Sequence, residues 1–337
     1  MLALGLGEQA GLWAGHARQN GGMVPIDALQ IVGPGMLDSS IARNGPSDAV
    51  PVRYSRLAGA TGLHTYRRLR TLRAGVVGCS RTGSLVAVTL ARLGVQKLVL
   101  VDPDVVEEHN LDAMDGATAN DLGRPKVAAV AQAARLVAPA CRVVAVPHLV
   151  THPRALWHLA DCDIVFCCVD NVLARHETAL VAQAYLIPLL DVGTGVFHVG
   201  PNSETGARQL GADVLLCLPG EACSRCMTRE EAPPTDRLRP WHHQRAGSLR
   251  TINQIAAHIA VQQLLDLLAG RAERSRWLRF EFDPSGVPLA HRVTEGETSH
   301  GCPICANAGM GDSALYWIPP GGATLQSPLS TSNCGPS

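Results

Sequence analysis

The most constraining stretch of this chain is a short apolar run that passes through a glycine-bounded turn into a helix. Gly75-Val76-Val77 leads into Gly78-Cys79-Ser80-Arg81-Thr82-Gly83-Ser84. The residues that follow, Leu85-Val86-Ala87-Val88-Thr89-Leu90-Ala91-Arg92-Leu93, have a helical apolar face, and Gly94 stands where such a helix stops. Lys97-Leu98-Val99-Leu100-Val101 then reads as a second strand ending at Asp102. Two strands joined by a helix-length crossover pair in parallel, so this stretch predicts a β-α-β unit.

The alternation continues. Lys126 to Val137 reads as helix, Arg142 to Val146 as strand, Pro153 to Ala160 as helix, Ile164 to Val169 as strand, Leu173 to Tyr185 as helix and Ile187 to Asp191 as strand. Ahead of the first strand, Leu63, Tyr66, Leu69 and Leu72 have a three-residue spacing that suits a helix. The pattern predicts an α/β fold with a doubly wound, mostly parallel sheet. Residues 1–50 read as an irregular N-terminal extension, 51–200 as the nucleotide-binding core, 201–315 as the C-terminal part of the same domain and 316–337 as a flexible tail. Beyond residue 200 the clearest element is a helix over Ile252 to Leu268.

Charge and hydropathy exclude several classes. Lys plus Arg and Asp plus Glu each number 29, so no global basic field recruits nucleic acid or anionic lipid. Without an apolar run of the roughly 18 residues that a membrane span requires, a cytoplasmic protein is expected.

A strand–glycine turn–helix junction aims backbone N–H groups and the positive end of the helix dipole at one point, where a phosphate can sit. Gly78 and Gly83 fit that role. The middle position of the dinucleotide fingerprint is Ser80 rather than glycine, which weakens a dinucleotide reading. Asp102 lies nineteen residues beyond Gly83, where a carboxylate accepts hydrogen bonds from ribose hydroxyls. Cys79 also stands near the helix N-terminus, a setting that lowers a thiol pKa, although packing is its commoner role.

Five segments then occur in register: Arg53-Tyr54-Ser55-Arg56, the glycine loop, Asp102-Pro103-Asp104-Val105-Val106 running on to Asn110-Leu111, Gly123-Arg124-Pro125-Lys126 and Val169-Asp170-Asn171-Val172-Leu173-Ala174-Arg175. In this the chain resembles the ThiF/MoeB/HesA family of ubiquitin-activating-enzyme-like adenylyltransferases, over about residues 53 to 195. The resemblance implies a Rossmann-like adenylation domain that uses ATP and Mg²⁺. It implies that Asp102 holds the ATP ribose, that Asp104 belongs to the cofactor-binding set and that Asn110 and Lys126 contact the phosphates. Asp170, beside Asn171, would bind Mg²⁺, and Arg56 would act on the γ-phosphate side, commonly from the second subunit of a homodimer. Arg56, Lys126 and Asp170 are thus the expected catalytic set. Asp170-Asn171 equally suits a helix cap, and Lys126 a helix start. One departure is plain: where the family carries an arginine, Asn110-Leu111-Asp112 is followed by Ala113. Arg81 or Arg124 is the candidate to restore that charge.

Cys223-Ser224-Arg225-Cys226 and Cys302-Pro303-Ile304-Cys305 are two C-x₂-C knuckles. Each spacing turns two sulfurs onto one ion, and four thiolates close a tetrahedral structural Zn²⁺ site. The resemblance agrees, and such an ion would clamp the C-terminal portion to the domain. No cysteine lies between Met227 and Gly301, where ThiF-like relatives place a thioester cysteine, so direct hand-over of an adenylate is expected. Cys217 reads as a buried strand residue, and His242 and His243 belong to the loop that meets the incoming tail or solvent.

The function implied is adenylation of the C-terminal carboxylate of a ubiquitin-like or sulfur-carrier protein ending in glycine, with release of pyrophosphate. The alternatives are adenylation of a short peptide for natural-product synthesis and a non-catalytic partner subunit of an activating enzyme. An NAD oxidoreductase leaves Arg56, Asn110, Lys126 and the knuckles unexplained.

Overall fold

The computed structural model describes residues 49–198, 208–228, 249–282, 287–294, 298 and 301–315, together with the backbone of five short strands nearer the N-terminus. Those strands lie within the stretch read as irregular. β1 (Leu2–Leu6), β2 (Trp13–Gln19) and β3 (Gly22–Pro25) form an antiparallel sheet, and β4 (Ala28–Ile31) pairs with β5 (Leu37–Ser40).

The helical spacing ahead of the first core strand is realised as α1 (Ser55–Thr61) and α2 (Leu63–Thr71). The strand–turn–helix motif becomes β6 (Arg73–Val77), α3 (Arg81–Leu93) and β7 (Lys97–Val101). Gly94 ends α3 in the left-handed conformation with φ of 87°, its N–H bonded to the carbonyls of Leu90 and Ala91. The alternation continues through α4 (Lys126–Val137), β8 (Arg142–Val146), α5 (Pro153–Leu159), β9 (Ile164–Cys167) and α6 (Val172–Ala184) to β10 (Leu189–His198).

Beyond this point three further strands of the sheet, β11 to β13, are not signalled in the sequence. β11 (Arg208–Cys217) returns antiparallel to β10, and β12 (Arg276–Phe282) and β13 (Pro288–Thr294) add a further antiparallel pair. Among the described residues the sheet order is β13-β12-β11-β10-β9-β6-β7-β8, parallel from β10 to β8. α7 (Ser224–Thr228) and α8 (Arg250–Leu268) lie between β11 and β12, and α9 (Asp312–Leu315) follows β13.

Strand alternation assigns the two faces. Val76, Leu98, Leu100, Phe166 and Leu216 join one core with α3, α4 and α8. Val77, Val99, Val101, Val165 and Leu215 join the other with α5, α6 and the cysteine knuckles. Every residue of β7 is buried, as expected for a parallel strand covered on both faces. Each fully buried Leu, Ile or Phe on these faces contributes about 1.5–3 kcal/mol of transfer free energy, which is what holds the helices against the sheet. This two-sided packing leaves the carboxyl ends of β6, β7 and β9 side by side, and the loops after them carry Gly78, Asp102 and Asp170.

Candidate nucleotide site and cysteine centre

The turn after β6 depends on two glycines for different reasons. Gly78 has φ of +84°, and a Cβ there would stand 2.8 Å from the backbone carbonyl of Cys168. At Gly83 a Cβ would come within 1.7 Å of the Gly78 oxygen, so only glycine lets α3 close onto the turn. Ser80 precedes α3 with φ of −93°, outside the left-handed region that favours glycine, and its hydroxyl makes no cap hydrogen bond. The first-turn amides therefore carry no side-chain cap, the arrangement that lets a helix N-terminus meet an anion.

Asp102 locks the next loop to this turn. Its Oδ2 accepts from the Cys79 N–H at 2.6 Å and its Oδ1 from the Asp104 N–H at 2.9 Å. Burial pushes its pKa up, opposed by the Lys126 charge and by these two amides. Each oxygen keeps a lone pair with which to accept a hydroxyl. Lys126 opens α4 directly after Pro125, is buried, and donates from Nζ to Asp104 Oδ2 at 2.8 Å. Asn110 closes a short 3-10 turn. Its Oδ1 accepts from the Glu107 N–H at 2.9 Å, which leaves the Nδ2 hydrogens as its donors.

Asp170 and Asn171 follow β9 and are exposed. Asn171 caps α6, its Oδ1 accepting from the Ala174 N–H at 2.8 Å, so its side chain is already occupied in the way a cap requires. Arg56 is exposed on α1, and its side chain makes no hydrogen bond or ion pair among the described residues. Its neighbour Arg53 donates to the Val137 carbonyl at the end of α4, and Tyr54 packs beneath Arg70, whose Cζ lies 4.9 Å from the ring centre.

Of the two arginines expected to replace the charge missing at Ala113, only Arg81 lies on the Asn110 turn. Its Nη2 donates to the His109 carbonyl at 2.8 Å and its Nη1 to Asp112 at 2.9 Å. Arg124 is instead held by Asp121 and Gln132. Ala113 is fully buried, and its carbonyl accepts from Arg250 at 2.9 Å.

Arg175 and Asp191, to which the motifs assign no role, form a pair. Arg175 also donates to the Val169 carbonyl at 2.9 Å, next to Asp170. Asp191 is 2% exposed, and burial pushes its pKa up against the pull of Arg175. The signal was present as a carboxylate inside the apolar run Leu189-Leu190-Asp191-Val192, which calls for a buried partner. Cys79 resolves to packing. It is fully buried, and desolvation together with the Asp102 charge pushes its thiol up rather than down. Cys217 is a buried strand residue, as expected. His242 and His243 lie outside the described residues.

The four knuckle cysteines converge from separate parts of the chain. The Sγ distances are 3.7 Å for Cys223–Cys226, 3.7 Å for Cys223–Cys302 and 3.6 Å for Cys226–Cys305, and all four sulfurs lie within 4.8 Å of one another. A tetrahedral ion with bonds of about 2.3 Å requires sulfur–sulfur edges of about 3.8 Å. The quartet therefore fits Zn²⁺ and is far too open for disulfides. Hydrogen bonds from Cys223 and Cys305 hold the Cys302 thiol well below its usual range. Nearby, the N–H groups of Gly309 and Gly311 bond the carbonyls of Gln183 and Ala184 at the end of α6, so the segment after the second knuckle is fastened to the core.

Comparison with known proteins places the chain in a family. The ThiF family model matches residues 54–303. The chain belongs to the ThiF family. Among curated ThiF relatives, the sulfur carrier protein ThiS adenylyltransferase of Escherichia coli is 25% identical over 261 residues, covering 76% of this chain and 96% of that one. The adenylyltransferase and sulfurtransferase MOCS3 of Xenopus laevis is 36% identical over 263 residues, covering 76% of this chain and 54% of that one. In fold, a crystal structure of E. coli MccB with ATP superposes with a TM-score of 0.59 at 17% identity, covering 77% of this chain and 76% of that one. The α/β fold with its mostly parallel sheet is thus the fold of that neighbour. Among the described residues no helix is long and apolar enough to cross a membrane.

Proposed function

We propose that this ThiF-family chain is an adenylyltransferase that activates the C-terminal carboxylate of a small sulfur-carrier or ubiquitin-like protein ending in glycine. The observation that carries the reading is the Asp102 carboxylate bonded to the phosphate-loop amide of Cys79, with Lys126 buried beside it. One end of the parallel sheet thereby offers a ribose acceptor, amide donors and a cation together. Named relatives that are adenylyltransferases or activating enzymes support the reading, among them a SAMP-activating enzyme E1 of Haloferax volcanii that is 27% identical over 261 residues.

In this reading a carboxylate oxygen of the carrier forms a bond to the α-phosphorus of ATP as the bond to pyrophosphate breaks. No proton has to move. Negative charge grows on the phosphoryl oxygens and the leaving group, so the residues act by position and charge. The Gly78–Gly83 turn seats phosphate oxygens on the amides of α3, Asn110 donates from Nδ2, and Lys126 leaves Asp104 for the phosphates. Asp170 has the exposed carboxylate that a Mg²⁺ shared with phosphates requires, and that ion would supply charge neutralisation. Asn171 fixes the turn beneath Asp170 by capping α6. Zn²⁺ in the cysteine quartet has no open position and would serve structure alone. Arg56, exposed on α1, is available to a second copy of the chain.

The test is isotope exchange between pyrophosphate and ATP with purified protein and candidate carriers. Exchange that requires Mg²⁺ and a glycine-terminated carrier is expected. Exchange with short peptides alone would move the substrate to the peptide class, and binding of NADH without ATP would refute the reading.

A further inference from the structure

We propose that Arg81 is a phosphate ligand of this site, and that Asp112 occupies its guanidinium until nucleotide arrives. This inference rests on the adenylation reading above. Arg81 is the first residue of α3, immediately behind the Gly78–Ser80 turn. Its side chain crosses to the turn that carries Asn110, where Nη2 donates to the His109 carbonyl at 2.8 Å and Nη1 to Asp112 Oδ2 at 2.9 Å. Asp112 Oδ1 lies 2.7 Å from Nη2, so the carboxylate meets the guanidinium with both oxygens. The fork that a phosphate would use is thus filled by a carboxylate.

Burial makes the hold asymmetric. The Arg81 side chain is 25% exposed and the Asp112 side chain 62%. An ion pair with one partner mostly in water is weak, and a phosphate carrying more charge displaces it. Lys126 repeats the arrangement: its side chain is 9% exposed and its partner Asp104 63%. Each cation is placed by the fold and held by an aspartate that solvent can take back.

Ala113 explains why this charge comes from α3. Its side chain is fully buried, and its carbonyl accepts at 2.9 Å from Arg250, which also donates to Asp115 at 2.6 Å. A long cationic side chain at position 113 would have to be buried there. Arg81 brings positive charge to the same turn from α3.

The two members of the pair have opposite expected effects. If Arg81 serves phosphate, Arg81→Gln weakens ATP binding about tenfold or more and slows pyrophosphate exchange, with Arg81→Lys between it and the parent. Asp112→Asn frees the guanidinium and tightens ATP binding several-fold. Removing a negative charge alone also favours ATP, so the double variant decides: in the Arg81→Gln background Asp112→Asn should bring no comparable gain. If Arg81 only fastens α3 to the Asn110 turn, Asp112→Asn loosens the site and weakens ATP binding, which overturns the proposal. An unchanged affinity in folded Arg81→Gln, or the same Asp112→Asn gain with and without Arg81, overturns it as well. Failure of the parent protein to bind ATP refutes the adenylation reading itself, whereas parent binding with any of the preceding outcomes refutes only the role of Arg81. Circular dichroism melting on each variant separates loss of binding from loss of fold.

Discussion

Arg175 on α6 and Asp191 in β10 form an ion pair whose carboxylate is almost wholly buried, and the same guanidinium donates to the carbonyl of Val169 at 2.9 Å. The pair therefore joins the interior of the sheet to the residue before Asp170. Removing Arg175 leaves the Asp191 carboxylate, whose side chain is 3% exposed, without its cation. Arg175→Ala should cost about 3–5 kcal/mol of unfolding free energy, read from urea denaturation. A loss of less than about 1 kcal/mol would mean that the pair does not hold β10 and α6 together.

Gly83 and Gly59 make a graded test. Gly83→Ala sets a methyl group 1.7 Å from the Gly78 carbonyl oxygen, so α3 must move off the turn. It should lose ATP binding and lower the melting temperature. Gly59→Ala, inside α1 with nothing within 4 Å of the new methyl, should leave stability unchanged or raise it by about 0.5–1 kcal/mol. Calorimetric melting of both variants checks the contrast.

Lys126→Ala should abolish pyrophosphate exchange with little loss of fold. The Nζ contact is to Asp104, whose side chain is 63% exposed, and such a pair contributes little to stability. The measurement is exchange rate beside the circular dichroism spectrum.

The cysteine quartet predicts one zinc ion per chain by plasma emission spectroscopy, lost in Cys302→Ser. That variant should melt at a lower temperature, since metal-binding energy in such a site is folding energy. Ligation requires thiolates, so acidification should release the ion and melt the C-terminal segment with it.

Glu177 provides a pH test with a definite sign. It is buried on α6, and desolvation raises its carboxyl pKa in the folded chain. The folded state then holds its proton to higher pH than the unfolded state. This side chain's contribution is therefore most favourable below the unfolded carboxylate pKa and falls as pH rises through the folded one. Glu177→Gln should raise the urea midpoint at pH 7, with the gain shrinking as pH falls towards 4.

Local signals carried much of this molecule. The β6-α3-β7 unit, α4, β8 and the helix that became α8 were legible because apolar periodicity, a stopping glycine and Pro125 agreed within a few residues. The cysteine pairs were legible because two-residue spacing leaves few other uses for four sulfurs. The antiparallel strands β11 to β13 were not, since Trp277, Arg279 and Glu281 put polar or amphipathic groups on one face. There Asp213 accepts from Trp277 Nε1 at 2.7 Å and from Arg279 Nε at 2.8 Å, contacts that exist only after folding. Arg250 was hidden for the same reason: its partners, Ala113 and Asp115, lie far away in the chain.

The most direct test of the account is a crystal structure of the protein with ATP and Mg²⁺. The triphosphate is expected over the Gly78–Gly83 turn, the ribose hydroxyls on Asp102 and the Lys126 ammonium turned from Asp104 to phosphate. A nucleotide bound elsewhere, with the Asp102 and Lys126 contacts unchanged, would contradict it.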